Sequence, residues 1–432
     1  MTRTRWITLA CLLLSCGVSV SLGFFMERSK PDLMLDFKGV YYEARCLLQH
    51  SDPYKPGEPL RAYLAEAGER ATPPVGLRQA LTRDLYLPTA FIFTAPFAML
   101  PLESAQVLWM ILTAISLVVA GFLTWNLGAN YAPVISGGLI CLVLANSEAL
   151  FATGNPAGVA VGLCVVAVWC FLKKRFVWVG VLCLAISLAI KPHDAGLVWL
   201  YFLIVDGVYR KRALQSLVVA AVFGLAAIVW VTPISPHWMQ ELHSNLLADS
   251  VPGGPCDSGP TSSTGRTVSM VIDLQSVVAV FRDDPLIYNL VSYLVCGALL
   301  LAGAVRTLRS RISQRKTWLA LAAIAPLTML VTYHRPFDAK LLLLAVPACA
   351  MLWAEGARIG RIAFLVTTTA IVATSDLPLI IFLAFTRNIP LSTVSLSGQM
   401  LTVALMRPVP LILLAMGIFY LWIYMRREPE RG

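Results

Sequence analysis

The 432-residue chain is 58% hydrophobic and only 13% charged, with a mean hydropathy of +0.73, which excludes an ordinary water-soluble domain of roughly half apolar and a quarter charged residues. Its net charge of +10 does not mark a nucleic-acid surface, because Lys and Arg cluster in short loops between apolar stretches. Membrane lipid is the expected solvent, and no nucleic-acid partner is expected.

The chain opens with Thr2-Arg3-Thr4-Arg5 and an apolar run over 6–25. Leu13-Leu14-Ser15-Cys16 approaches a lipoprotein cleavage site, but the run continues to Phe25 and no small-residue cleavage site follows, so an uncleaved first span is expected. A helix needs about 20 residues to cross the hydrocarbon layer. Further spans are read at 104–126, 132–149, 156–172, 176–190, 194–208, 213–231, 285–305, 317–332, 339–353, 361–382 and 402–425, about twelve in all within a single all-α integral membrane domain over 1–432.

With the first span starting inside, the basic clusters Lys173-Lys174-Arg175, Tyr209-Arg210-Lys211-Arg212, Arg306 to Lys316, Arg358 with Arg361, and Arg426-Arg427 all fall on the cytoplasmic side. Both termini are then cytoplasmic. Residues 26–103 and 232–284 form two large extracytoplasmic loops. Residues 86–100 are apolar, but their short length and the prolines at 88, 96 and 101 predict a re-entrant or surface-lying helix rather than a crossing.

In the first loop, Phe37, Val40, Tyr41, Ala44 and Leu48 recur at helical spacing, which predicts an amphipathic helix lying against the membrane. Asp36 stands at its start, where it suits either a helix cap or an ionised general base. The same topology collects Gly154-Asn155-Pro156, Lys191-Pro192-His193-Asp194, Tyr333-His334-Arg335-Pro336-Phe337-Asp338 and Ser375-Asp376 at the outer ends of other spans. Ionisable groups beside apolar spans are expensive unless paired or used, so ion pairing at the interface and a functional site are both open readings.

Most of the ten cysteines lie inside apolar spans without CxxC spacing, as small buried hydrophobes. Cys46 and Cys256 fall in the two long loops, where an oxidising compartment would let them pair. There is no P-loop, no GxGxxG after a strand, no HExxH and no GxSxG, which disfavours a nucleotide-driven pump or a soluble-type hydrolase. No close carboxylate pair marks a metal, and neither metal nor cofactor is expected.

Asp36 followed by Tyr41-Tyr42, then Asp52-Pro53-Tyr54, Tyr86-Leu87-Pro88, Ala95-Pro96 and Leu100-Pro101, resembles the polyprenyl-phosphate-dependent membrane glycosyltransferases of family 87, in the GT-C fold superfamily. Gly154-Asn155, Ile190-Lys191-Pro192 and Tyr333 to Asp338 continue the order, so the resemblance spans about residues 30 to 340. It departs at Tyr86-Leu87-Pro88, where Tyr-Pro-Pro is usual, and at Gly154-Asn155, where Gly-Gln is usual.

The resemblance implies a GT-C bundle with juxtamembrane helices in a long first loop and an active site at the outer face of the plasma membrane. It implies transfer of mannose, arabinofuranose or a similar sugar from a polyprenyl monophosphate carrier to a lipid or glycan hydroxyl. Asp36 matches the family's base, His334 its polar partner near the donor phosphate or acceptor, and Lys191 a phosphate contact. Arg335, Tyr42, Asn155, His193 and Asp338 join them as expected substrate-binding residues. An inverting transfer needs one carboxylate to take the acceptor proton and cations to steady the departing phosphate, which Asp36 with Lys191, His334 and Arg335 can supply. The rival reading is a transporter or flippase of lipid-linked sugars. Such proteins place their polar breaks near the midplane of related halves, whereas here they gather at one face.

Overall fold

A computed structural model describes residues 3–27, 33–68, 72–83, 85–205, 207–251, 256–259, 271–310, 313–376, 381, 384 and 395–426. It is helical, with no strand among those residues. In chain order the helices are α1 (Arg3–Glu27), α2 (Leu35–Leu48), α3 (Glu58–Ala67), α4 (Val75–Ala80), α5 (Pro88–Ala98), α6 (Leu102–Gly128), α7 (Pro133–Ala145), α8 (Glu148–Thr153), α9 (Ala157–Lys173) and α10 (Val177–Ile190). There follow α11 (Pro192–Ile204), α12 (Val208–Val231), α13 (Trp238–Asp249), α14 (Gln275–Phe281), α15 (Pro285–Leu308), α16 (Gln314–Val331), a 3-10 helix (Pro336–Ala345), α17 (Val346–Ala354), α18 (Ala357–Ala373), α19 (Leu396–Met406) and α20 (Pro408–Met425).

Among the described residues, six segments are long and apolar enough to cross a membrane: Trp6–Phe25, Leu102–Gly128, Val208–Val231, Pro285–Leu308, Pro336–Ala354 and Pro408–Met425. On α12 and α15 the apolar side chains of Leu217, Val218, Leu225, Leu290, Leu294 and Leu301 face outward, as lipid-facing positions must. The chain is therefore an all-helical membrane protein.

The expected count of about twelve spans is not reached by length. The reason lies in the helix breaks. The expected span 132–149 ends as a helix at Ala145, and 402–425 divides at Arg407 because Pro408 occupies the first helical position. The helices α7, α10 and α11 have 13, 14 and 13 residues, about 20 Å each against a hydrocarbon layer of about 30 Å. The expected span 361–382 runs as α18 to Ala373, and 377–380, 382 and 383 lie outside the described residues. Segment 86–100 forms the 11-residue α5, too short to cross.

The amphipathic helix is present as α2, and it is buried on most of its sides. Phe37, Val40, Tyr41 and Ala44 are buried as the periodicity predicts while Leu48 is only half-buried, and Tyr42, Glu43 and Leu47 are buried on its other sides. Periodicity reports an apolar face; it does not report what covers the rest. Here Phe37 meets Trp109 of α6 at 5.1 Å between ring centroids, and Phe97 of α5 meets the same indole edge-on at 5.2 Å. Each fully buried aromatic of this kind contributes about 1.5–3 kcal/mol.

Two apolar cores result. One gathers α2, α4, α5 and the first part of α6 around Phe37, Phe91 and Trp109, and includes Ile190 at the end of α10. The other fills the bundle and includes Ala195 of α11 and Phe337 of the 3-10 helix. The chain passes from one core to the other at Lys191, and the polar cluster described next lies along that seam.

Candidate active site

Asp36 is placed by α2, in its first turn. It does not cap that helix: the cap position is Met34, with φ +57°, and no side chain bonds there. Instead Asp36 Oδ2 accepts a hydrogen bond from Asn155 Nδ2 at 2.7 Å. Asn155 is itself oriented, because its Oδ1 accepts the Ala157 N–H at 2.9 Å, which turns the amide NH2 toward the carboxylate.

The turn that presents Asn155 requires the glycine before it. Gly154 ends α8 with φ +65°, and a Cβ there would sit 2.7 Å from Phe37 Cβ. Its carbonyl accepts the Trp109 Nε1–H at 2.8 Å. Gly154-Asn155-Pro156 thus packs directly against the start of α2 and registers Asn155 on Asp36.

Lys191 is a break between α10 and α11 with φ −146° and ψ 80°, the extended conformation that a following proline imposes. The break points a buried ammonium at Asp338, to which it is bonded, and at Asp194 Oδ2, 3.7 Å away. The Lys191 ammonium also lies 5.2 Å from the Phe337 ring centroid. Asp338 uses its second oxygen to accept the Arg335 backbone N–H at 2.8 Å, which opens the 3-10 helix after Pro336.

His334 is fully buried. Its Nδ1 bonds the Thr332 carbonyl at 2.8 Å, so Nδ1 carries the proton. Its Nε2 lies 3.4 Å from Asp194 Oδ1, close enough for charge attraction but without a hydrogen bond's direction. The His193 ring stands 4.9 Å from the His334 ring, nearly perpendicular to it.

Burial works against the Lys191 ammonium, but the carboxylates of Asp194, Asp338 and Asp36 hold its pKa above that of ordinary lysine. Arg335 is also pushed up against burial, by the Tyr333 oxygen and by Asp36. Burial opposes charge on His334 as well, yet Asp194, Asp338 and the Thr332 carbonyl raise its pKa. Asp36 therefore acts electrostatically on Lys191 and Arg335 together. The structure brings Asp36, Asn155, Lys191, His193, His334, Arg335 and Asp338 into one cluster from four stretches of chain.

Tyr42 stands apart from it. Its hydroxyl bonds Glu66 Oε2 at 3.2 Å and its ring meets Tyr63, because six residues along a helix place it about 120° around from Asp36. Cys46 and Cys256, which an oxidising compartment would let pair, are both free thiols.

Several buried charges were not singled out by sequence reasoning. Asp273 is fully buried and accepts the Ser276 N–H at 2.8 Å, and burial pushes its carboxyl up to about 6. Its segment runs beside the His334 strand of chain, with the Ile272 N–H donated to the His334 carbonyl at 2.9 Å. Lys340 donates to the Asn146 carbonyl at 2.7 Å and feels the charges of Asp376 and Glu148. A lone charge inside an apolar stretch was the available signal for Asp273, Glu148 and Lys340.

The cluster combines an oriented carboxylate with paired cations at a seam between cores, an arrangement suited to taking a proton beside a negatively charged leaving group. The family model for glycosyltransferase family 87 matches residues 85–333. The chain belongs to glycosyltransferase family 87. As a member of that family it is a membrane glycosyltransferase. The match is narrower than the expected 30 to 340: it takes in Asn155, Lys191 and His193 and ends one residue before His334, leaving Asp36 outside. Neither a curated protein nor a solved structure matches this family-87 chain.

Proposed function

We propose that this chain transfers a sugar, mannose, arabinofuranose or a close relative, from a polyprenyl monophosphate carrier to a hydroxyl of a lipid or glycan. The fold is of GT-C type, and the reaction takes place at the extracytoplasmic face of the plasma membrane with both termini inside. The charge pattern of the loops supports that orientation. The observation that carries the reading is the Asp36–Asn155 pair, held at 2.7 Å within electrostatic reach of Lys191 and Arg335.

In this mechanism Asp36 accepts the proton of the acceptor hydroxyl as its oxygen attacks the anomeric carbon. The bond from that carbon to the carrier phosphate breaks, and the phosphate leaves with the electron pair on the opposite face, which inverts the centre. Lys191 and Arg335 neutralise the charge that develops on the phosphate, and His334 holds it or the acceptor in place. No nucleotide fold is needed, because the leaving group is a lipid phosphate.

Transfer from a labelled polyprenyl-phosphate sugar by purified protein tests the reading. Asp36→Asn should abolish transfer while leaving expression and thermal unfolding unchanged, and full activity in that variant removes Asp36 as the base. Lys191→Met and His334→Gln should weaken donor binding or turnover, and unchanged kinetics in both would make the cluster structural.

A further inference from the structure

We propose that His193, Asp194 and His334 form a binding site for a divalent transition-metal ion of zinc type. Each residue offers one ligand atom, and the three atoms lie within 4.8 Å of one another. His334 Nε2 and His193 Nε2 approach the same oxygen, Asp194 Oδ1, at 3.4 and 3.9 Å. Ligands about 2.0–2.2 Å from a tetrahedral zinc stand roughly 3.3 Å apart, so a small inward turn of one ring completes the set. His193 can make that turn, since its side chain is 40% exposed at the start of α11 and so also provides the ion's access route.

Three further observations point to an ion. First, the buried atoms His334 Nε2 and Asp194 Oδ2 have no hydrogen-bond partner, although both residues are almost wholly removed from solvent. Second, the Nδ1–H of His334 is anchored on the Thr332 carbonyl at 2.8 Å. That bond leaves Nε2 with its lone pair toward Asp194, the outer-sphere support that metal-binding histidines have. Third, the two oxygens of Asp194 are divided: Oδ1 faces the imidazoles and Oδ2 faces Lys191. Lys191 therefore orients the carboxylate without occupying the ligand position.

Two imidazoles and one carboxylate suit zinc, with a fourth position left open. The rival occupant of the same space is a proton shared by His334 and Asp194. Metal uptake is measured without sugar donor, so its outcome is separate from that of the transfer reading. Full-length protein in detergent, stripped with a chelator and titrated with Zn2+, should bind one ion per chain by calorimetry and by elemental analysis. His193→Ala, a change at an exposed side chain that should leave the fold intact, should weaken uptake by about 100-fold or more, beyond the usual loss from an outer-sphere partner. His334→Gln should do the same, while His237→Ala, at an exposed histidine in the turn before α13, should keep it. Cobalt-loaded protein should show ligand-field absorption that His193→Ala removes. No stoichiometric uptake by the unaltered chain, or undiminished uptake in His193→Ala, overturns the proposal.

Discussion

Asn155 holds Asp36 by a side-chain hydrogen bond of 2.7 Å while the Ala157 N–H holds Asn155 at 2.9 Å. The carboxylate is thus aimed by a residue 119 positions away in sequence. If Asp36 is the base, its partner is a positioning residue. Asn155→Ala should lower kcat by about 100-fold with a much smaller change in KM, since a displacement of about 1 Å at a reacting group has that effect. Asn155→Gln, the residue usual in the family, should recover part of the loss. Equal kcat in all three proteins would show that Asp36 needs no such support.

Gly154 makes that register possible, and the prediction there concerns stability as well as rate. An alanine at φ +65° costs about 1–2 kcal/mol, and its methyl would also press on Phe37 Cβ at 2.7 Å. Gly154→Ala should lower the thermal midpoint by several degrees and reduce transfer, because the helix carrying Asp36 must move to relieve the contact. A midpoint equal to that of the parent would contradict the close packing of α2 on the α8–α9 turn.

The Lys191 ammonium sits between Asp194 and Asp338, both almost wholly buried. Removing it leaves two carboxylates facing each other in a low-dielectric site, and breaking a buried pair of this kind costs about 3–5 kcal/mol. Lys191→Met should therefore destabilise the protein strongly. Adding Asp338→Asn should recover part of the loss, a coupling that a double-mutant cycle on unfolding midpoints detects. Additive losses would mean that the two residues do not share a charge balance.

Much of this cluster was legible because its residues sit at chain breaks. Pro192 and Pro336 open new helices after breaks that the sequence itself shows, and the residues beside such a break are where a charge leaves the apolar run. Asp194 was visible in the same motif, but its place between Lys191 and two histidines depends on α11 packing against the 332–338 segment, which no local pattern encodes. Asp273, Glu148 and Lys340 were less legible because each is a single charge in a stretch dominated by its apolar neighbours. That Tyr42 stands apart from the cluster was not legible, because adjacency to Tyr41 in a motif says nothing about which side of α2 it occupies. The helix lengths were less legible, because an apolar run in sequence does not reveal that Arg407 or Asn146 interrupts the helix. Residues 336–354 show the converse. They are long and apolar enough to span, yet 89% of their apolar window is buried inside the protein, which is what allows Asp338 and Lys340 to be there.

Asp273 gives a pH prediction. Its carboxyl rises from 3.8 to about 6 because it is buried, against smaller opposing effects from the Ser276 N–H and the charges of His334 and Arg407. In the unfolded chain the group ionises at its ordinary value, so between pH 4 and 6 the folded protein holds a proton that the unfolded one has released. Stability from this group is complete below about pH 4 and is lost as pH rises through about 6, a total of about 3 kcal/mol. Asp273→Asn removes the titration and keeps an oxygen for the Ser276 N–H. The unfolding midpoint of the unaltered chain should therefore fall between pH 4.5 and 7.5 by more than that of the variant, and the two should converge at the acid end. Parallel profiles across that range would show that Asp273 ionises in the folded protein no later than in the unfolded chain, through a compensating charge or water that reaches its second oxygen.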